Sequence, residues 1–405
     1  MLSRGVGGLA RRVVAGRWAG CSAVLDKSPV FGEALSGRRA LSGWNGVQTT
    51  AESCRLANDS WAKLENRGVL RVQGVDARKF LQGLTTNNML VLGAGTKAVS
   101  TAILNAQGRV IFDAIVCSAD PETLLMEADK QQLPDLLKTL KRYKLRAKVT
   151  LEDVSEGFHV LAAVGPSVGR WWVEASAKQS DGTVLTYQDP RTIDLAVRCI
   201  APRALPDGAD AAALAAAGDA WARVSEAAFE MYRASLGAPQ GPEDLPPGGC
   251  FPLECNLELY GSVSFAKGCY VGQELTARTH FRGQVRKRLV PFLLAGAGGA
   301  SEDAVKMGAA APLAAAMAFA GDAPAVGTPL LVAGSGKQVG KVVSCRGGVG
   351  LAMVRIQQAM EAGGGLGDVT IGEHKGALVL PSWWDTVVEA EKKGEEEKGA
   401  EAAAE

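Results

Sequence analysis

Histidine is scarce, cysteine is thin, and no acid precedes Asp26 in this 405-residue chain. The three histidines, His159, His280 and His374, have no HExxH or comparable spacing, which excludes a common zinc site. The eight cysteines are too sparse for a disulfide scaffold at this length, and no CxxC occurs. Only Cys250, Cys255 and Cys269 lie near one another, and C-x4-C without further cysteines does not complete a permanent cluster ligand set. No run of about 18 apolar residues is free of charge, so no membrane insertion is expected. An excess of one charge is also missing. The 44 Lys and Arg face 43 Asp and Glu, which argues against a bulk nucleic-acid binder.

What the first residues do contain is arginine. MLSRGVGGLARRVVAGRWAGCSAVL holds Arg4, Arg11, Arg12 and Arg17, with Leu2, Val6, Leu9, Val13 and Val14 on one helical face. A basic, amphipathic, acid-free start reads as a transit peptide, here residues 1–50. The mitochondrial matrix is the expected destination and the chloroplast the alternative.

The rest divides by pattern. Residues 56–155 read as a first α+β domain: the strand GVLRVQG, a helix after Asp76 with Phe80, Leu81 and Leu84 on one face, and a hairpin around Asn105–Gly108. Asp76 stands at an N-cap position. Residues 156–294 read as a second α+β domain, with strands FHVLAAVG and TIDLAVRCIAP, a helix over Trp221–Leu236 and a Pro/Gly loop, GAPQGPEDLPPGG. Residues 295–325 form an Ala/Gly-rich insertion, 326–385 a small β-barrel of short runs between Gly turns, and 386–405 a charged, disordered tail.

One stretch carries chemistry: KGCYVGQELTART, Lys267–Thr279. A helix starting near Tyr270 would set the Cys269 thiol at its positive end, beside Lys267, and so favour the thiolate. Gly268 and Gly272 would let a ligand or a second backbone approach closely. On chemistry alone, a small apolar packing residue is the simpler account of Cys269. KTLKRYKLRAK holds six cations between Lys138 and Lys148. With Arg282, Arg286, Lys287 and Arg288 it can form a basic surface for RNA or an acidic protein, or simply a solvated face.

The motifs RGVLRVQGVDARKFLQGLTTN, ILNAQGRVIFDAIV, YRASLGAPQGPEDLPPGGCFPLECNL and VSFAKGCYVGQELTARTHFRGQVRKRL follow in order. This succession resembles the YgfZ family of folate-binding-type proteins, whose mitochondrial branch is the Iba57-like, CAF17-type iron–sulfur assembly factors. That family is in turn similar to the glycine cleavage T-protein. The match covers most of Leu56–Leu294 and, more weakly, Gly327–Leu351.

The resemblance implies an α+β, T-protein-like ring of domains with antiparallel sheets and a C-terminal β-barrel, the first domain being of folate-binding type. It implies an essential thiol at Cys269, and participation in maturing mitochondrial [4Fe–4S] proteins, with aconitase- and lipoate-synthase-type clients. One cysteine cannot hold a cluster alone, so a transient cluster would be shared with an A-type scaffold protein. It also implies a tetrahydrofolate-sized pocket. There Asp76 would face the folate, Glu254 and Asn256 of PLECN would line the pterin, and Arg278 and Arg286 would meet its glutamate tail. Capping by Asp76 and simple turn roles for Glu254 and Asn256 are the plain alternatives. Gln273 and Glu274 either orient Cys269 or face solvent. The expectation is a non-catalytic assembly factor, transferase-like by fold. The alternatives are a folate-dependent aminomethyl or C1 transferase, and a tRNA-modification accessory. T-proteins have an acid where this chain has Cys269, which disfavours the transferase.

Overall fold

The computed structural model describes residues 59–93, 95–170, 184–192, 194–203, 221–295, 316–361, 369–379 and 381. The expected transit segment, most of the Ala/Gly-rich stretch and the charged tail lie outside the described residues.

The first sheet is antiparallel, in the order β3-β4-β5-β2-β6. Its strands are β2 (Arg67–Gln73), β3 (Ala98–Leu104), β4 (Val110–Ser118), β5 (Thr123–Asp129) and β6 (Thr150–Asp153). The β3–β4 hairpin turns where expected. Asn105 Oδ1 accepts from the backbone N–H groups of Gln107 and Arg109, and Gly108 takes φ +78°. All seven residues of β3 are buried, because the sheet is covered on both faces. Ile103 packs toward α1 (Ala77–Gln82) and α2 (Leu133–Lys144), whose Phe80, Leu81, Leu133, Leu136 and Leu140 fill that side. Ala102 and Leu104 point the other way, onto Cys250, Cys255, Leu257 and Tyr270. The segment carrying the KGCY motif is therefore laid on the outer face of this sheet.

The second sheet runs β10-β1-β7-β9-β8. It contains β1 (Ser60–Lys63), β7 (Phe158–Val164), β8 (Leu185–Gln188), β9 (Val197–Pro202) and β10 (Ala222–Arg223). Two expected boundaries are corrected here. Strand β1, read with the first domain, pairs with β7 and, in parallel, with β10. Lys287–Leu294, read with the second domain, is β11, the first strand of the barrel. Strand patterns report burial, not which strand lies alongside.

The barrel closes as β11-β14-β13-β12-β15-β16, adding β12 (Pro329–Val332), β13 (Gln338–Arg346), β14 (Val349–Arg355), β15 (Val369–Ile371) and β16 (His374–Leu378). The helix expected over Trp221–Leu236 is shorter: α3 spans Glu226–Ser235, capped by Ser225, whose Oγ accepts from Ala228 N. The expected loop contains one helical turn, α4 (Gly241–Asp244), with Pro242 in its first turn.

A buried ionic network joins these parts. Glu127 on β5 accepts from Arg67 Nε at 2.8 Å, Tyr187 Oη at 2.8 Å and Arg198 Nη1. Arg198 Nε also meets Asp189 at 2.7 Å, and its Nη2 meets Gln240 Oε1 at 2.7 Å. Gln240 donates onward to Asp244 and Glu230, which both bind Arg233 on α3. Asp244 accepts from Ser344 Oγ on β13 at 2.6 Å. Burial alone would raise these carboxyls, but the arginines overcome it and hold Glu127, Asp189 and Asp244 below the ordinary carboxylate range.

Candidate functional site

The KGCY segment is fixed on either side of its cysteine. Upstream, Ser264 N donates to Thr86 O at 3.0 Å, and Phe265 stacks on His280 with ring centroids 3.5 Å apart. The Lys267 ammonium donates to three backbone carbonyls, Gln82 O (2.7 Å), Thr85 O (2.5 Å) and Asn87 O (2.8 Å). These belong to the last residue of α1 and the turn beyond it, carbonyls that the helix leaves without internal partners. Burial pulls the Lys267 pKa down to about 8.

Downstream, the Tyr270 ring is buried in the apolar cluster of Leu104 and Cys255, with the Lys267 ammonium 4.8 Å from its centroid. Gln273 Oε1 accepts from Tyr270 N at 3.2 Å, and Val271 N donates to Gly83 O at 3.2 Å. Gly272 takes φ +78°, and a Cβ there would run into Asn105 O and Gly108 of the β3–β4 hairpin, so a side chain has no room. Between the two anchors Lys267 and Tyr270, only Gly268 and Cys269 stand exposed. The result is a thiol on a short spur whose base is held to the first sheet.

Three expectations change. The helix carrying the motif is α5 (Gln273–Arg282), with Gly272 as its N-cap. Cys269 therefore lies three residues before that cap, outside the first turn where a helix dipole acts. The Lys267 ammonium, expected beside the thiol, has its hydrogen bonds directed to carbonyls of the first domain. Gly268 has ordinary φ and open space around it, so no second backbone approaches there.

Asp76 does not cap α1 through its side chain. Its Oδ2 accepts from Lys148 N at 2.8 Å, tying the loop before α1 to the turn before β6. Asn256 is buried at φ +60°. Its Nδ2 donates to Leu289 O at 2.7 Å and its Oδ1 accepts from Arg288 at 3.2 Å. Both ends of that amide are used to hold the PLECN turn to β11. Glu254 is half-buried and pairs with Lys287 at 3.2 Å. Glu274, Arg278 and Arg286 are exposed. The structure thus gathers Lys267, Cys269, Gly272 and Gln273 around one loop. Asp76 lies at the α1–β6 junction, and Glu254 and Asn256 at the start of the barrel.

Sequence reasoning missed the lysine clamp. A lysine between alanine and glycine reads as a surface residue, and nothing local announces three carbonyls waiting for it. Lys267→Met should lower stability by about 1–3 kcal/mol, because it leaves buried carbonyls without a donor. Thermal unfolding checks this, and limited proteolysis should show faster cleavage within residues 264–272.

The comparisons with known proteins agree with this architecture. Residues 60–203 match the family described as GCVT N-terminal domain, and residues 286–386 the family described as CAF17, C-terminal beta-barrel domain. A Mus musculus protein named iron-sulfur cluster assembly factor IBA57, mitochondrial, is 34% identical over 391 residues, covering 90% of this chain and 97% of its own. The Homo sapiens protein of the same name is 32% identical over 378 residues, covering 85% and 94%. Among solved structures, glycine cleavage system aminomethyltransferase T from Bartonella henselae aligns with a TM-score of 0.59 at 16% identity, over 84% of this chain and 90% of that one. That last likeness is one of fold.

Proposed function

The chain belongs to the IBA57 family of iron–sulfur cluster assembly factors, and we propose that it promotes maturation of [4Fe–4S] proteins in the mitochondrial matrix. The observation that carries the reading is the Cys269 spur. Cys117, Cys199, Cys250 and Cys255 are buried and Cys345 is half-buried, so Cys269 is the one exposed thiol among the described residues. A thiol on a spur with a fixed base is suited to touch a cluster that a second protein holds. One cysteine offers one of the four ligands a cluster needs. The others come from a thiolate-bearing A-type scaffold, and the cluster passes on to apo-clients of the aconitase and lipoate-synthase type. The cluster is cargo, and the factor need not be an enzyme. The arginine-rich start supports import.

The transferase alternative fits less well. It needs a tetrahydrofolate ring held by Asp76, Glu254 and Asn256. The Asn256 amide is engaged at both ends by β11, Glu254 by Lys287, and Asp76 by Lys148. These residues do not present a ready pterin site.

Depleting the protein should lower aconitase activity in isolated matrix by severalfold while a [2Fe–2S] enzyme in the same extract holds its activity. An equal fall in both, or in neither, would sink this reading.

A further inference from the structure

The end of α2 and the turn that follows it are built in an unusual way. Leu145 closes the helix at φ +43°, a region that disfavours any residue with a Cβ and where glycine normally stands. Leu145 is 88% exposed, the most exposed large hydrophobic among the described residues, and adds nothing to the core. Tyr143 is 40% exposed beside it. Val75, 66% exposed, sits on the adjoining loop, whose neighbours Gly74 and Asp76 both abut the Lys148 backbone. Around these apolar tips stand Lys138, Lys141, Arg142, Lys144, Arg146 and Lys148, with no acid in the run. Lys138, Lys141 and Arg142 follow i, i+3, i+4 spacing, on the side of α2 away from the buried Leu136 and Leu140. Among the described residues, none of the six cations forms an ion pair with a carboxylate.

We propose that this patch is a docking site for the surface of an anionic lipid bilayer. The cations would lie in the headgroup layer, and Leu145 and Val75 would enter the boundary with the acyl chains. Two observations favour this occupant. The first is charge: a cluster of unpaired cations near an anionic membrane gains about fivefold in partition per cation. The second is the kind of apolar group presented. Aliphatic tips gain from the headgroup–acyl boundary, and tyrosine settles at the same depth. Bases would need exposed ring faces on which to stack, and Tyr143 alone does not make such a platform. The strained leucine also finds its reason here. A side chain that the fold does not use, at a position where glycine would be cheaper, is put to use outside the fold. Such binding is peripheral, and no described helix is long and apolar enough to span a membrane.

The test is co-sedimentation of the full chain with two kinds of vesicle, phosphatidylcholine alone and phosphatidylcholine mixed with phosphatidylserine, at low and high salt. The wild type should bind only the mixed vesicles, and less at high salt. Leu145→Gly should lose binding severalfold yet melt at a higher temperature, since it relieves the backbone. That rise separates a lost contact from a damaged fold. Lys141→Glu with Arg142→Glu should lose about tenfold or more. The proposal is overturned if the wild type ignores mixed vesicles, or if both variants bind them as the wild type does. It is also overturned if a single-stranded RNA oligonucleotide binds more tightly than the vesicles and loses binding in the same variants. None of these outcomes depends on the cluster-assembly reading, which the aconitase measurement tests separately.

Discussion

Cells depleted of this protein and given Cys269→Ala are expected to keep the depleted level of aconitase activity, whereas the wild-type chain restores it. The size of the effect follows from the proposed chemistry: alanine has no ligand atom, so the shared cluster loses a bond that nothing else on the loop replaces. The structure also predicts what will not change. Cys269 is exposed, and no hydrogen bond holds its sulfur among the described residues. Its neighbours Lys267, Tyr270 and Gly272 make the attachments. The substitution should therefore shift stability by no more than about 0.5 kcal/mol, and the variant should accumulate to the wild-type level. Immunoblotting beside the aconitase assay separates lost chemistry from lost protein. Should Cys269→Ala restore aconitase as well as the wild type, the thiol is a passenger. The test then moves to Asp76 and Glu254.

The second large effect concerns stability. Arg198→Met should destabilise the protein by about 3–5 kcal/mol in urea unfolding, because it removes the cation lying between two buried carboxylates, Glu127 and Asp189. The exposed pair Arg71–Glu152 is the control, and Arg71→Ala should cost under about 1 kcal/mol. The same network fixes the response to acid. Glu127, Asp189 and Asp244 titrate below their ordinary values in the folded protein. The unfolded chain therefore binds more protons as the pH falls through the ordinary carboxylate range of about 4. Stability from these groups is complete above that range and is lost below it. Arg198→Met should flatten the acid limb of the stability curve. A variant as stable as the wild type, with an unchanged acid limb, would show that the network contributes nothing net.

Much of the architecture was legible because it is local. The Asn105–Gly108 hairpin is written in its turn residues, and the barrel in short apolar runs broken by glycine. What could not be read is what depends on distant partners. Strands β1 and β11 have ordinary strand patterns, and nothing in them names the sheet they join. The start of α5 was misplaced because Gly272 serves as a left-handed cap against a hairpin some 170 residues earlier in the chain, far beyond the reach of any local helix rule. The ionic network had one faint signal: Arg198 sits inside the apolar strand VRCIAP, where a charge is costly unless paired. Sequence could not say that Glu127 and Asp189 would be the pair. The site itself divides the same way. The expectation that Cys269 matters came from the motif and the resemblance. How it is presented, through a lysine clamp and a buried tyrosine, came only from the fold.

The placement of β1 bears on the order in which a ribosome can deliver this protein. The five strands of the first sheet lie within residues 67–153 and need nothing beyond them to pair. Strand β1 leaves the ribosome before all of them, yet Ser60 must wait for Val164 and then for Ala222. During that interval a nascent strand with two open edges stands next to a finished sheet. The first sheet is thus the early folding unit, and the second closes after it, around a piece of chain that was made first.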